Sequence, residues 1–168
     1  MELIRNNKNK IIVGLLIVVV IVLLFDNVFV SNGADRTAIA YVEYMLDGDA
    51  KKCTALMCDD LIDVAGYETK KLFINEFDKT LDAMIDSYKD KYGNRWSYKV
   101  TVIDSFAVDA FDAFDYSLDY EEEGKLVKVV LEVTHKGGGL FKETDGTETF
   151  ELIMKNDNGD WLVYDLIV

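Results

Sequence analysis

Gly93 separates two kinds of periodicity, and that division constrains the fold more than any other feature of the chain. Before it, Phe73, Phe77, Leu81, Met84, Tyr88 and Tyr92 recur at spacings of three and four, the pattern of a helix with one apolar face. Thr69 is placed to cap its start, and Gly93 stands where a helix end takes glycine. After Gly93 the period falls to two. Trp96, Tyr98, Val100 and Val102 alternate with polar residues, as do Phe114, Tyr116, Leu118 and Tyr120, then Val127, Val129, Leu131 and Val133. A turn at residues 122–124 joins the second and third of these runs. Phe150, Leu152 and Met154 form a fourth, and the turn NDNGD leads into a last strand, WLVYDLIV. Upstream, Asn32 or Asp35 is placed to cap a helix carrying Ile39, Val42, Met45 and Leu46, which Gly48 ends. Asp49 caps a second helix through Met57, and Asp59 or Asp60 a third short turn. Helices followed by alternating strands predict an α+β fold with a mostly antiparallel sheet. One sheet face must be covered, and the long helix is expected to lie across it.

The N-terminus constrains location. MELIRNNKNK precedes IIVGLLIVVVIVLLFDNVFV. The unbroken apolar part, Ile11 to Phe25, is roughly 22 Å long as a helix, and residues 11–30 approach the ~30 Å of a bilayer core. Arg5, Lys8 and Lys10 lie before the run, and Asp26, Asp35, Glu43 and Asp47 follow from its outer end onward. The positive-inside rule then gives a cytoplasmic tail (1–10), a transmembrane helix (11–30) and an extracytoplasmic domain (34–168) in the cell envelope. The rival reading is a secretory signal, cleaved near Ser31-Asn32-Gly33 to release the domain. Both readings export it.

The net charge of the 168-residue chain is −13. Its first 25 residues carry +2, from Arg5, Lys8 and Lys10 against Glu2, so the remainder carries −15. A surface of that sign excludes nucleic acid, whose phosphates need a basic face. It also disfavours anionic lipid headgroups. The segment after the anchor is long enough for one domain with a real core.

TAIAYVEYMLDGDAKKCTALM resembles the opening helical hairpin of nuclear-transport-factor-two-like (cystatin-like) domains, with Gly-Asp at its bend. NDNGDWLVYDLIV is similar to their closing hairpin, whose last strand starts with Trp. The resemblance runs from about Ala34 to Val168. It implies a cone, in which a curved sheet wraps over a long helix and a pocket can open at one end. The strand pair that well-known members carry among their helices has no counterpart before Gly93. The superfamily includes enzymes, transport factors and secretion-complex assembly parts, so the fold alone leaves function open.

Several residue groups are candidates for function. An acidic tract holds Asp104, Asp109, Asp112, Asp115, Asp119, Glu121, Glu122 and Glu123, with interleaved aromatic residues and no Lys or Arg. It reads as the solvated face of a strand or as a docking surface for a cationic protein partner. Its spacing is not that of a calcium loop. Trp96, Tyr98 and Tyr116 are candidate pocket-lining residues, with core positions as the plainer alternative. Cys53 and Cys58 form a disulfide or remain two small core thiols. On a continuous helix they would point about 140° apart, so a bridge needs a helix break near Met57. His135, the only histidine, falls just past the Val127–Val133 alternation and reads as solvated. With Asp115 it is the candidate acid or base if the cone houses an enzyme. One histidine and two cysteines leave a zinc site incomplete, Gly137–Gly139 lack the residues of a phosphate loop, and no cofactor is expected. The reading that follows is a membrane-anchored, extracytoplasmic, non-catalytic binding or assembly module. The alternatives are a small-ligand pocket protein or enzyme, and a component of a secretion or conjugation assembly.

Overall fold

The computed structural model describes residues 33–108, 126–138 and 145–167. The chain divides into two units, Met1–Asn32 and Gly33–Val168. The first, with the apolar segment 11–30, lies outside the described residues. Among the described residues, four helices precede four strands. They are α1 (33–46), α2 (Ala50–Ala55), α3 (Asp59–Val64), α4 (Lys70–Tyr92), β1 (Ser97–Ala107), β2 (Leu126–Lys136), β3 (Asp145–Asp157) and β4 (Asp160–Ile167). The strands pair in chain order, each antiparallel to the next. The fold is α+β, as the change of period at Gly93 implies. The expected strand 114–120 and the turn at 122–124 lie outside the described residues. No helix among the described residues is long and apolar enough to cross a membrane.

Local chemistry sets the helix ends. The Thr69 hydroxyl accepts from Leu72 N–H at 3.3 Å and starts α4, and Gly93, at φ +94°, ends it with its N–H on Lys89 C=O. Asp49 caps α2 by accepting from Lys52 N–H at 3.0 Å. Of the two candidate caps of α1, Asp35 lies within its turns and Asn32 lies outside the described residues. One expected cap differs: α3 is preceded by Cys58, with Asp59 and Asp60 in its first turn. Acidic residues are favourable there because the helix N-terminus carries partial positive charge.

The alternation of β2 decides where the core lies. Val127, Val129, Leu131 and Val133 are buried on one face, beside Phe150, Leu152 and Met154 of β3 and Val163 of β4. Ala34, Ala38, Tyr41, Val42, Met45 and Leu46 of α1 join the same apolar cluster. The long helix packs on the same core and shares it with α1. α4 contributes Leu81 and Tyr92 as fully buried residues, while Phe73, Phe77, Met84 and Tyr88 are half-buried. The small Ala34 and Ala38 of α1 are fully buried in this cluster. A second, smaller cluster of Val108, Leu126 and Ile153, with Tyr164 and Ile167, occupies the opposite sheet face.

Irregularities shape the sheet. Register shifts between Val102 and Asp104, and between Ile153 and Met154, mark bulges, which bend a strand and add twist. The segment between α2 and α3 covers the β4 edge. Met57 bridges Val163 in parallel, Cys58 N–H donates to Val163 C=O at 2.8 Å, and Val163 N–H donates to Leu56 C=O at 2.7 Å. The edge is thereby closed to another chain at Val163.

Leu131, fully buried at the centre of the sheet, should lose about 2–5 kcal/mol of stability on change to Ala, read as a lower urea midpoint at unchanged slope. Ile103→Ala, at a bulge where the side chain is 55% exposed, should cost under about 0.5 kcal/mol. Equal losses would contradict this placement of the core.

Candidate binding cleft and its buried support

The reactive side chain types among the described residues are mostly enclosed. Cys53 and Cys58 are both buried and both free thiols. The helix does break between them, since α2 stops at Ala55. Cys53 Sγ, however, turns toward Tyr41 C=O at 3.7 Å, while Cys58 is held at the head of α3 by its backbone pairing to Val163. Burial pushes the Cys53 thiol up to about 12 and the Cys58 thiol up to about 11. The nucleophile is the thiolate, so neither position is activated.

His135 is not solvated. It is the last inward position of β2, opposite Tyr98 on β1 and Gly146 on β3, and its exposure is 0%. The rings of Tyr88, Tyr92 and Trp96 pack against it with centroids at 4.8, 4.9 and 5.5 Å. Nε2 lies 2.5 Å from Glu148 Oε1, and the Tyr88 hydroxyl donates to the same oxygen at 2.5 Å. An ionised carboxylate oxygen only accepts, so the tautomer with the proton on Nε2 is the one that satisfies this contact. Nδ1 is buried with no hydrogen-bond partner among the described residues. Burial first, and then the bond to Glu148, push the Tyr88 phenol above its ordinary range and keep it a donor. Gly146 makes room for this packing, because a Cβ there would collide with the Tyr92 hydroxyl.

Trp96 links this enclosed cluster to the surface. Its ring lies 5.2 Å from Tyr88 on the inner side of the cluster and 5.5 Å from Tyr98. Trp96 and Tyr98 then line an open cleft of about 610 Å³, together with Leu46, Asp47, Gly48, Asp82, Ile85, Lys89 and Ser97. Three parts of the fold meet there: the bend after α1, the middle of α4, and the start of β1. The Tyr98 hydroxyl donates to Asp47 Oδ1 at 2.5 Å and also approaches Glu43 C=O at 3.3 Å, which ties the bend to β1. Burial and the Asp47 bond raise the Tyr98 phenol as well. Gly48, at φ +75°, makes the bend, and a Cβ there would come within 2.7 Å of Ile85 Cδ1. A second cleft of about 430 Å³ lies beside Cys58, and its lysines are paired, Lys70 with Asp59 at 3.3 Å and Lys155 with Asp60 at 3.2 Å.

Of the residues singled out from sequence, Trp96 and Tyr98 come together at the first cleft. Tyr116 and the acidic positions Asp109, Asp112, Asp115, Asp119, Glu121 and Glu122 lie outside the described residues. Glu148, Asp47 and Asp82 were not among the sequence candidates. Glu148 had a signal, because it shares the inward parity of Phe150, Leu152 and Met154. Among the described residues no group of three or more His, Cys, Asp or Glu is placed to hold a metal ion. No protein-family model, curated protein or solved structure matches the chain.

The thiols give two checks. Modification of the native thiols at pH 8 should be about a hundredfold or more slower than in urea. Cysteine in the unfolded chain ionises near 9, whereas folded Cys58 and Cys53 do so near 11 and 12. Their contribution to stability is therefore full below pH 9 and is lost as pH rises through 11 to 12. A urea midpoint flat from pH 8 to 11, or rapid native labelling, would contradict the burial of these groups.

Proposed function

We propose that this chain is a single-pass, N-in membrane protein whose α+β unit works outside the cytoplasm as a non-catalytic binding or assembly module. The observation that carries the binding role is the contrast between its two clusters. The groups capable of proton transfer or nucleophilic attack, His135, Cys53 and Cys58, are enclosed, whereas the aromatic and acidic residues Trp96, Tyr98, Asp47 and Asp82 border an open cleft. Aromatic anchors beside charged groups are what a recognition surface uses. The cleft volume is within the range of about 300–1,000 Å³ found for small-ligand sites. Such sites are mostly enclosed and apolar, however, and an open, charged cleft is better suited to a protein side chain.

The membrane assignment is supported by the basic tail, the apolar run 11–30 and the acidic remainder. Only Ser31 and Asn32 separate the end of that run from the first residue of the second unit. The cystatin-like cone is the finer fold we propose. Helices before an antiparallel sheet, a helical bend at Gly48-Asp49, strand bulges and a closing hairpin whose last strand has Trp161 near its start support it.

Intact mass on protein from the membrane fraction, with protease added to whole cells, tests this location. The expected result is a full-length mass and a C-terminal unit digested from outside. A mass beginning near Ala34, with the protein in the medium, would replace the anchor with a cleaved signal. A unit protected from external protease would overturn export.

A further inference from the structure

We infer that the cleft beside Trp96 takes the ammonium or guanidinium group of a basic side chain on a partner protein. The inference rests on the binding-module reading and names the chemistry of what is bound. The cleft offers an apolar side chain, Ile85, an aromatic wall and two carboxylates. The half-buried Ile85 lines the cleft, where the aliphatic stem of Lys or Arg can lie, since such stems bury readily while their charged ends stay polar. Trp96 and Tyr98 form the wall, and aromatic rings attract organic cations.

The two carboxylates differ. Asp47 commits Oδ1 to the Tyr98 hydroxyl. Asp82 lines the cleft with no hydrogen-bond or ion-pair partner among the described residues. A carboxylate without an internal partner, beside an aromatic pair, is a receptor for positive charge. The cleft's own cation does not fill that role, because the Lys89 ammonium is paired one turn back along α4, 3.3 Å from Asp86. A metal ion is disfavoured, since no group of three ligands is assembled among the described residues. An anion would face Asp47 and Asp82 together. The field of the whole molecule acts in the same direction, because a net charge of −13 draws basic partners toward the surface. Gly48 keeps the cleft open beside Ile85, since a side chain there would press on the Ile85 methyl.

The test is a calorimetric titration of the full-length chain in detergent micelles at low salt. The probes are a blocked Gly-Lys-Gly peptide, its arginine counterpart, and a blocked Gly-norleucine-Gly control that keeps the stem and lacks the charge. The lysyl and arginyl peptides should bind, with the norleucine peptide about tenfold weaker. Asp82→Asn should weaken lysyl binding about fivefold at an unchanged urea midpoint, because Asp82 is exposed. Trp96→Phe tests the wall, and its urea midpoint separates lost folding from lost binding. Equal binding of the norleucine peptide, or full affinity in Asp82→Asn, would overturn the inference. Absence of lysyl binding by a chain still anchored at full-length mass would also remove it, and would leave the membrane assignment standing.

Discussion

One carboxylate oxygen holds the end of this domain together. Glu148 Oε1 accepts from the Tyr88 hydroxyl on α4 and faces His135 Nε2 on β2, so that a helix and two strands meet at a single point. The histidine side is fully buried, and in such surroundings each hydrogen bond is stronger and each missing one more costly. The three groups are therefore interdependent. Removing Glu148 would leave a buried imidazole N–H with no acceptor, and removing the Tyr88 hydroxyl would leave the carboxylate a single donor. Around this point the rings of Tyr88, Tyr92 and Trp96 pack at centroid distances near 5 Å. Trp96 is held from within by that packing, which makes it a fixed wall for the cleft outside.

The same arrangement explains why the domain's most reactive-looking residue reads as structural. A histidine, a carboxylate and a phenol in contact are the parts of an acid–base site, and such a site needs access to a substrate. Here the histidine has none, and its ring is enclosed by three aromatic neighbours. The chemistry offered to solvent is different in kind: an indole, a phenol and carboxylates around an open volume. Those groups are the ones that the proposed recognition of a basic partner would use, with charge and shape setting its specificity.

Much of the fold was legible in the sequence because periodicity and caps are local signals. Thr69, Gly93 and Asp49 cap helices where their side chain chemistry places them. The alternation of β2 and β3 identifies their inward faces. What was not legible is set by contacts distant in the chain. His135 continues the parity of Val127, Val129, Leu131 and Val133, yet the glycines after it imply a loop, and its burial depends on α4. Glu148 lies two residues before Phe150 on the same face, where an acidic residue reads as the end of a strand. That α1 shares the core with α4 through the buried Ala34 and Ala38 also emerges only from the packing. The turn of Cys53 toward Tyr41 could not be known before the packing of α2. Asp47 and Asp82 are far apart in sequence and meet at the cleft only through the fold.

The central claim is that Trp96, fixed by the buried cluster, forms the wall of a cleft for basic side chains. The chain has two tryptophans, and Trp161 lies elsewhere, against Gly33. Their indole N–H resonances in a ¹⁵N-labelled full-length chain are therefore separate reporters. On adding the blocked lysyl peptide, the account predicts that the Trp96 indole signal shifts in a saturable way while that of Trp161 stays in place. An unmoved Trp96 signal, or a shift confined to Trp161, would contradict it.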